Sequence, residues 1–120
     1  MEKKSKVLTF IGFALRARGV KCGVNAVATI KDKCDVMLLC KTASDNTFDD
    51  AAKLAKKLSA KLYISKIHLI EDVVNKPNCK LIAITNKELS KAIIENIDED
   101  FALYSGGYGN EYWRKERELS

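Results

Sequence analysis

The sequence predicts a single α/β domain, and three observations lead there. Segments with apolar residues at helical spacing alternate with short, wholly apolar runs along most of the chain. Those runs are apolar at every position rather than at every second one, the pattern of strands covered on both faces. At 120 residues, 47% hydrophobic and 31% charged, the chain is long enough to bury a core and has an ordinary globular balance.

The elements follow in order. Val7, Leu8, Phe10, Ile11, Ala14 and Leu15 recur at helical spacing, so residues 4–18 read as a first helix with a basic end. Arg18 to Cys22 reads as a turn with a short strand. Gly23 to Lys33 reads as a second helix, with Val27 and Ile30 inward and Ala26 beside them. Asp35 to Cys40 is a short apolar run expected to be a buried strand. Thr42 to Asn46 is a turn and capping stretch before a helix over about 47–59, whose apolar stripe is Phe48, Ala51, Ala52, Leu54, Ala55 and Leu58. Lys53, Lys56 and Lys57 fall outside that stripe, as a solvated face does.

Lys61 to Ile64 reads as the next strand. Ile67 to Val74 reads as a short helix stopped near Asn75, with Pro77 just beyond. Leu81 to Ile84 is a further buried strand. Thr85-Asn86-Lys87-Glu88 has the T-x-x-E form of a capping box and opens a helix to about Asn96. The domain is expected over residues 1–103. The remainder, 104–120, reads as a tail of glycine, aromatic and charged residues, whose Tyr112 and Trp113 suit either base stacking or docking on protein.

Composition narrows the function classes. No run of eighteen apolar residues exists, so no membrane span is expected. The basic start is followed by an apolar run broken by Gly12, Arg16 and Arg18, which is unlike a secretory leader, and a cytoplasmic protein is expected. The net charge is +5, and residues 1–33 hold eight Lys/Arg against two acids. Such a local excess favours a polyanionic partner. Cys22, Cys34, Cys40 and Cys79 form no C-x-x-C pair and the single histidine is His68, so zinc and other cofactors are not expected. The thiols read as small buried hydrophobes. The chain has no P-loop, nucleophile elbow or dinucleotide fingerprint, and catalysis is not expected.

Gly23-Val24-Asn25 carries the functional signal. It stands at a predicted helix start, where unpaired N–H groups point one way with a partial positive charge behind them. Glycine admits a close backbone, and asparagine donates and accepts hydrogen bonds. Arg16, Arg18 and Lys21 just upstream suit a phosphate backbone. Asn25 also has a plain alternative role as a helix cap.

Ile11-Gly12-Phe13-Ala14-Leu15-Arg16-Ala17-Arg18-Gly19 resembles the opening signature of bacterial YlxQ-like ribosomal proteins, a branch of the kink-turn RNA-binding ribosomal-protein superfamily. Cys22-Gly23-Val24-Asn25 resembles the family's glycine-x-asparagine motif. Val36 to Leu39 with Ala43-Ser44-Asp45-Asn46-Thr47 resembles its strand and following turn, and Leu81 to Asn86 its last strand and exit. The resemblance spans roughly residues 6–96. It implies a three-layer α/β/α sandwich with a four-stranded mixed sheet. It also implies non-catalytic binding of structured RNA, kink-turn RNA in particular, in the company of the ribosome or RNA-processing proteins.

Carried over by position, Gly23 and Asn25 address irregular base pairs and Arg16, Arg18 and Lys21 address phosphates, with Val24 and Lys41 among the RNA-binding residues. Thr29, Ile70 and Glu71 complete the expected contacts, with Ile70 against a splayed base. Three places depart from the family: Ala26 and Thr29 replace its acidic residue and lysine, and Ile70-Glu71 replaces a leucine-glycine pair. A carboxylate facing phosphate is repelled, and a lost lysine flattens salt dependence. These departures define the alternative, a protein-interaction module of the same fold without specific RNA recognition.

Overall fold

Five short strands form one mixed sheet in the computed structural model, which describes residues 5–104. In chain order they are β1 (Val20–Cys22), β2 (Val36–Cys40), β3 (Lys61–Ser65), β4 (Leu81–Ile84) and β5 (Phe101–Leu103). Across the sheet the order is β1-β4-β2-β3-β5. Only the β2–β3 pair is parallel, with Val36 opposite Lys61 and Cys40 opposite Ser65; the other pairs are antiparallel. The helices are α1 (Lys6–Arg16), α2 (Val24–Ala28), α3 (Asp45–Leu58), α4 (Ile70–Val73) and α5 (Lys87–Glu95).

The continuous apolar runs are explained by burial on both faces. Met37, Leu39, Leu62, Ile64, Leu81 and Ala83 join one cluster with Val27 of α2 and with Phe48, Ala51 and Leu58 of α3. Their neighbours in sequence, Val36, Leu38, Cys40, Tyr63, Ile82 and Ile84, join a second cluster with Val7, Ile11, Ala14, Ile70 and Ile93. Successive strand residues point to opposite sides, so a run needs apolar side chains throughout.

Caps fix the helix starts. Ser5 accepts a hydrogen bond from the Val7 N–H at 3.2 Å and donates to Asp98 Oδ2 at 2.7 Å. Ser44 accepts from the Thr47 N–H at 3.2 Å, and Ser59 closes α3 in the left-handed conformation. No helix among the described residues is long and apolar enough to cross a membrane.

Five expectations need correction. The sheet has five strands rather than four: β5, directly after Asp98-Glu99-Asp100, pairs Ala102 with Ile64 at the far edge. Three residues are too few to show a period. The second helix ends at Ala28 rather than Lys33, because the Thr29 hydroxyl folds back onto the Ala26 carbonyl at 2.6 Å. The fourth is a single turn over 70–73 rather than 67–74. The cap of α5 is Asn86, whose Oδ1 accepts from the Leu89 N–H at 3.0 Å, while the N–H of Thr85 goes to the Gly19 carbonyl at 2.7 Å. Tyr104, read as the start of the tail, continues from β5. Its N–H donates to the Leu62 carbonyl and its ring lies 6.5 Å from that of Phe48. Tyr112 and Trp113 lie outside the described residues.

Candidate nucleic-acid interface

Strand direction decides what meets what. β1, β2 and β3 run the same way and β4 runs against them. One end of the sheet therefore gathers the exits of β1 and β2 with the entry of β4, and it carries Gly23 and Lys41. The opposite end gathers the entry of β1 with the exit of β4 and carries Gly19.

Gly23 adopts φ +90° and ψ 158°, a conformation that side-chain-bearing residues rarely take. Its N–H donates to the Leu81 carbonyl at 2.7 Å and its carbonyl accepts from the Val27 N–H at 3.0 Å. A β-carbon added there would meet nothing within 4 Å. Glycine is thus required by the backbone, and the space beside it is open.

Asn25 lies exposed in the first turn of α2, and its side chain makes no hydrogen bond among the described residues. The capping role does not apply, since Gly23 holds the cap position and no side chain caps this helix. Five residues give α2 little macrodipole, so the useful donors are the uncapped N–H groups themselves. Val24 is half-buried against the first cluster and anchors the turn.

Lys21 sits mid-strand on the edge strand β1, opposite Ala83 and exposed. It shares the sheet face that Ala83 presents to α2 and α3. Lys41 is exposed just past β2, two strand spacings across β4 and two residues beyond the level of Gly23, about 12 Å away.

Glu71 is neutralised. Its Oε1 accepts from Lys80 Nζ at 2.5 Å, and its Oε2 from the Asn78 N–H at 3.3 Å. The same Lys80 donates to Thr42 Oγ1 at 3.0 Å, tying α4 to the exit of β2. The hydrogen bond from Lys80 holds the Glu71 carboxyl below its ordinary range and lifts the lysine above its own. A carboxylate held this way repels phosphate far less than a free one. Its partner is absent from a linear reading because the ion pair joins Glu71 within α4 to Lys80, beyond the turn that follows the helix.

Four expected contact residues are not available at this end. The Ile70 side chain is fully buried in the second cluster and cannot reach a splayed base. The Thr29 hydroxyl is engaged by the Ala26 carbonyl. Arg16 and Arg18 stand at the Gly19 end, separated from Gly23 by the length of β1, about 13 Å. Arg16 lies over the Phe13 ring, 5.1 Å from its centre.

His68 Nε2 and Asp100 Oδ2 are 2.9 Å apart. The nearby Ser65 hydroxyl is buried and donates to the His68 carbonyl rather than to its ring, so these three residues do not form a nucleophilic relay. All four cysteines are free thiols. Burial, then proximity to Cys22, pushes the Cys79 thiol up to about 12. Burial likewise raises that of Cys34. No cluster of three or more metal-ligating side chains exists among the described residues.

Neither a family model nor a curated protein matches the sequence. Among solved structures, a protein of unknown function from Bacillus halodurans C is similar, with a TM-score of 0.63 at 19% identity. The match covers 80% of this chain and 100% of that one. It shows a shared fold.

Proposed function

We propose that this chain is a non-catalytic, ribosomal-protein-like RNA-binding protein of the cytoplasm that grips structured RNA, kink-turn RNA in its specific form, at the Gly23 end of its sheet. The observation that carries the reading is Gly23 in a glycine-only conformation beside open space, followed by an exposed Asn25 whose amide is uncommitted. Gly23 admits the RNA backbone, Asn25 addresses base edges, and Lys21 and Lys41 meet phosphates. The pairing of Glu71 with Lys80 supports the reading by removing a free carboxylate from this end. Helices on both sheet faces support the three-layer α/β/α arrangement of the resembling family, here with a fifth strand. The free thiols suit a reducing compartment.

Gel-shift titration tests it. Asn25→Ala removes a base-edge contact of about 1–3 kcal/mol and lowers the preference for kinked over plain duplex by about tenfold. An unchanged preference overturns the assignment. The burial of Ile70 and the self-bonded Thr29 favour a second reading, a protein-interaction module of this fold. Its complexes resist salt, whereas RNA complexes weaken steeply between low and moderate salt.

A further inference from the structure

The sheet's far end carries a second concentration of positive charge. Lys33, Lys61, Lys87 and Lys91 line one open cleft of about 730 Å³ between the loop before β2, the start of β3 and α5. Gly19 packs against Asn86, where a β-carbon would lie 3.0 Å from the Asn86 Cβ, so the chain at Arg18 passes near the start of α5, which carries Lys87 and Lys91. Beyond it, on the last turn of α1, Phe13 is 44% exposed, an unusual exposure for so large an apolar ring, with the Arg16 guanidinium over its face.

Among the described residues none of these six cations is in an ion pair. Asp35, Glu88 and Glu95 line the same cleft, and the surface remains net positive with Arg16 and Arg18 counted. Three carboxylates offset four lysines within the cleft, so Arg16 and Arg18 supply most of the local excess that favours an anionic partner. An exposed aromatic–guanidinium platform next to tracked cations is the arrangement that takes stacked bases and a phosphate chain without reading sequence.

We propose that the Gly19 end is a separate nucleic-acid surface that binds a single strand of RNA, a base stacking on Phe13 and Arg16 and the phosphates following Arg18, Lys87 and Lys91 into the cleft. This goes beyond the Gly23 reading and shares no residue with it. The two surfaces together let one molecule hold a structured element and a neighbouring single strand, about 13 Å apart along the strands.

The test uses the full chain and fluorescein-labelled oligouridine of about twelve nucleotides, followed by anisotropy at several salt concentrations. Five phosphate contacts give a slope of log K against log salt near −3.5, and the Arg18→Glu, Lys87→Glu, Lys91→Glu variant falls to about −1.4. At about 50 mM salt its affinity drops at least about tenfold. Phe13→Ala lowers affinity about fivefold or more with the slope unchanged, because stacking releases no counterions. A matched variant with equal charge change at the other end, Lys6→Glu, Lys66→Glu, Lys76→Glu, stays within about twofold of the parent, since contacts rather than net charge set the affinity. Circular-dichroism melts verify folding, and Lys87→Gln, Lys91→Gln replaces the reversal if the triple variant unfolds.

Absent oligouridine binding by the parent, or equal weakening by the two triple variants, overturns the proposal. Asn25→Ala leaves oligouridine binding intact, so failure of the Gly23 reading and failure of this one are told apart.

Discussion

Replacing Gly23 with alanine separates backbone conformation from space. The φ of +90° with ψ 158° lies in a region closed to L-residues, and holding alanine there costs about 1–3 kcal/mol. No steric term adds to this, because the new methyl meets no atom within 4 Å. The expected loss is therefore about 2 kcal/mol, a fall in Tm of about 8–16 °C for a domain of this size. Urea unfolding followed by circular dichroism measures it, with the midpoint falling and the slope unchanged. Gly19→Ala has the opposite origin: its β-carbon would lie 3.0 Å from Asn86 Cβ, 3.4 Å from Asn86 N and 3.5 Å from the Ala14 carbonyl, so its cost depends on how far those neighbours yield. RNA binding by the folded fraction of Gly23→Ala also falls, since the methyl occupies the space the RNA backbone needs. A Gly23→Ala variant within about 0.5 kcal/mol of the parent refutes the conformational argument.

Ile70→Ala removes a fully buried side chain and should destabilise the fold by about 2–5 kcal/mol while leaving RNA affinity per folded molecule unchanged; a normal melt with weakened binding would return Ile70 to the interface. Glu71 titrates below its ordinary value, so the pair with Lys80 contributes stability above the unfolded carboxylate pKa of about 4.3 and loses it as pH falls through the lower folded value. Glu71→Gln should accordingly flatten the acid limb of a Tm-versus-pH curve below about pH 4.3, and an unaltered limb counts against the pair. Cys79, with its thiol at about 12, should resist iodoacetamide at pH 8 in the native protein and alkylate on unfolding, as mass spectrometry reads directly; rapid native labelling would show the site to be open.

The buried strands were legible because burial on both faces leaves a pattern no surface strand shows, as in Val36 to Cys40, where every residue is inaccessible. The third helix was legible for the complementary reason, a stripe bounded by the Ser44 cap and the Ser59 stop. The elements misread were those whose limits depend on tertiary contacts. β5 exists because Phe101 to Leu103 meets an open edge of β3, and α4 is one turn because its cap, Leu69, and its exit are placed by core packing rather than by local signals.

The candidate site was legible in its residues and misleading in its grouping. Gly23 and Asn25 are singled out in the sequence by residue type, and the structure adds a positive φ at Gly23 and an exposed Asn25 that does not cap its helix. Arg16 and Arg18 joined them only because they are close in sequence, and a strand between two segments carries them to opposite ends of a sheet at about 3.3 Å per residue. The reverse holds for Lys33, Lys61, Lys87 and Lys91, which come from three separate segments and meet around one cleft. Charge counted along the chain thus pointed to one cationic rim, whereas strand direction divides the cations between two. A single surface predicts that Arg18→Glu and Asn25→Ala impair the same RNA contact. Two surfaces predict that their effects on a kinked RNA with a single-stranded flank add within about 0.5 kcal/mol, as mutations at independent sites do.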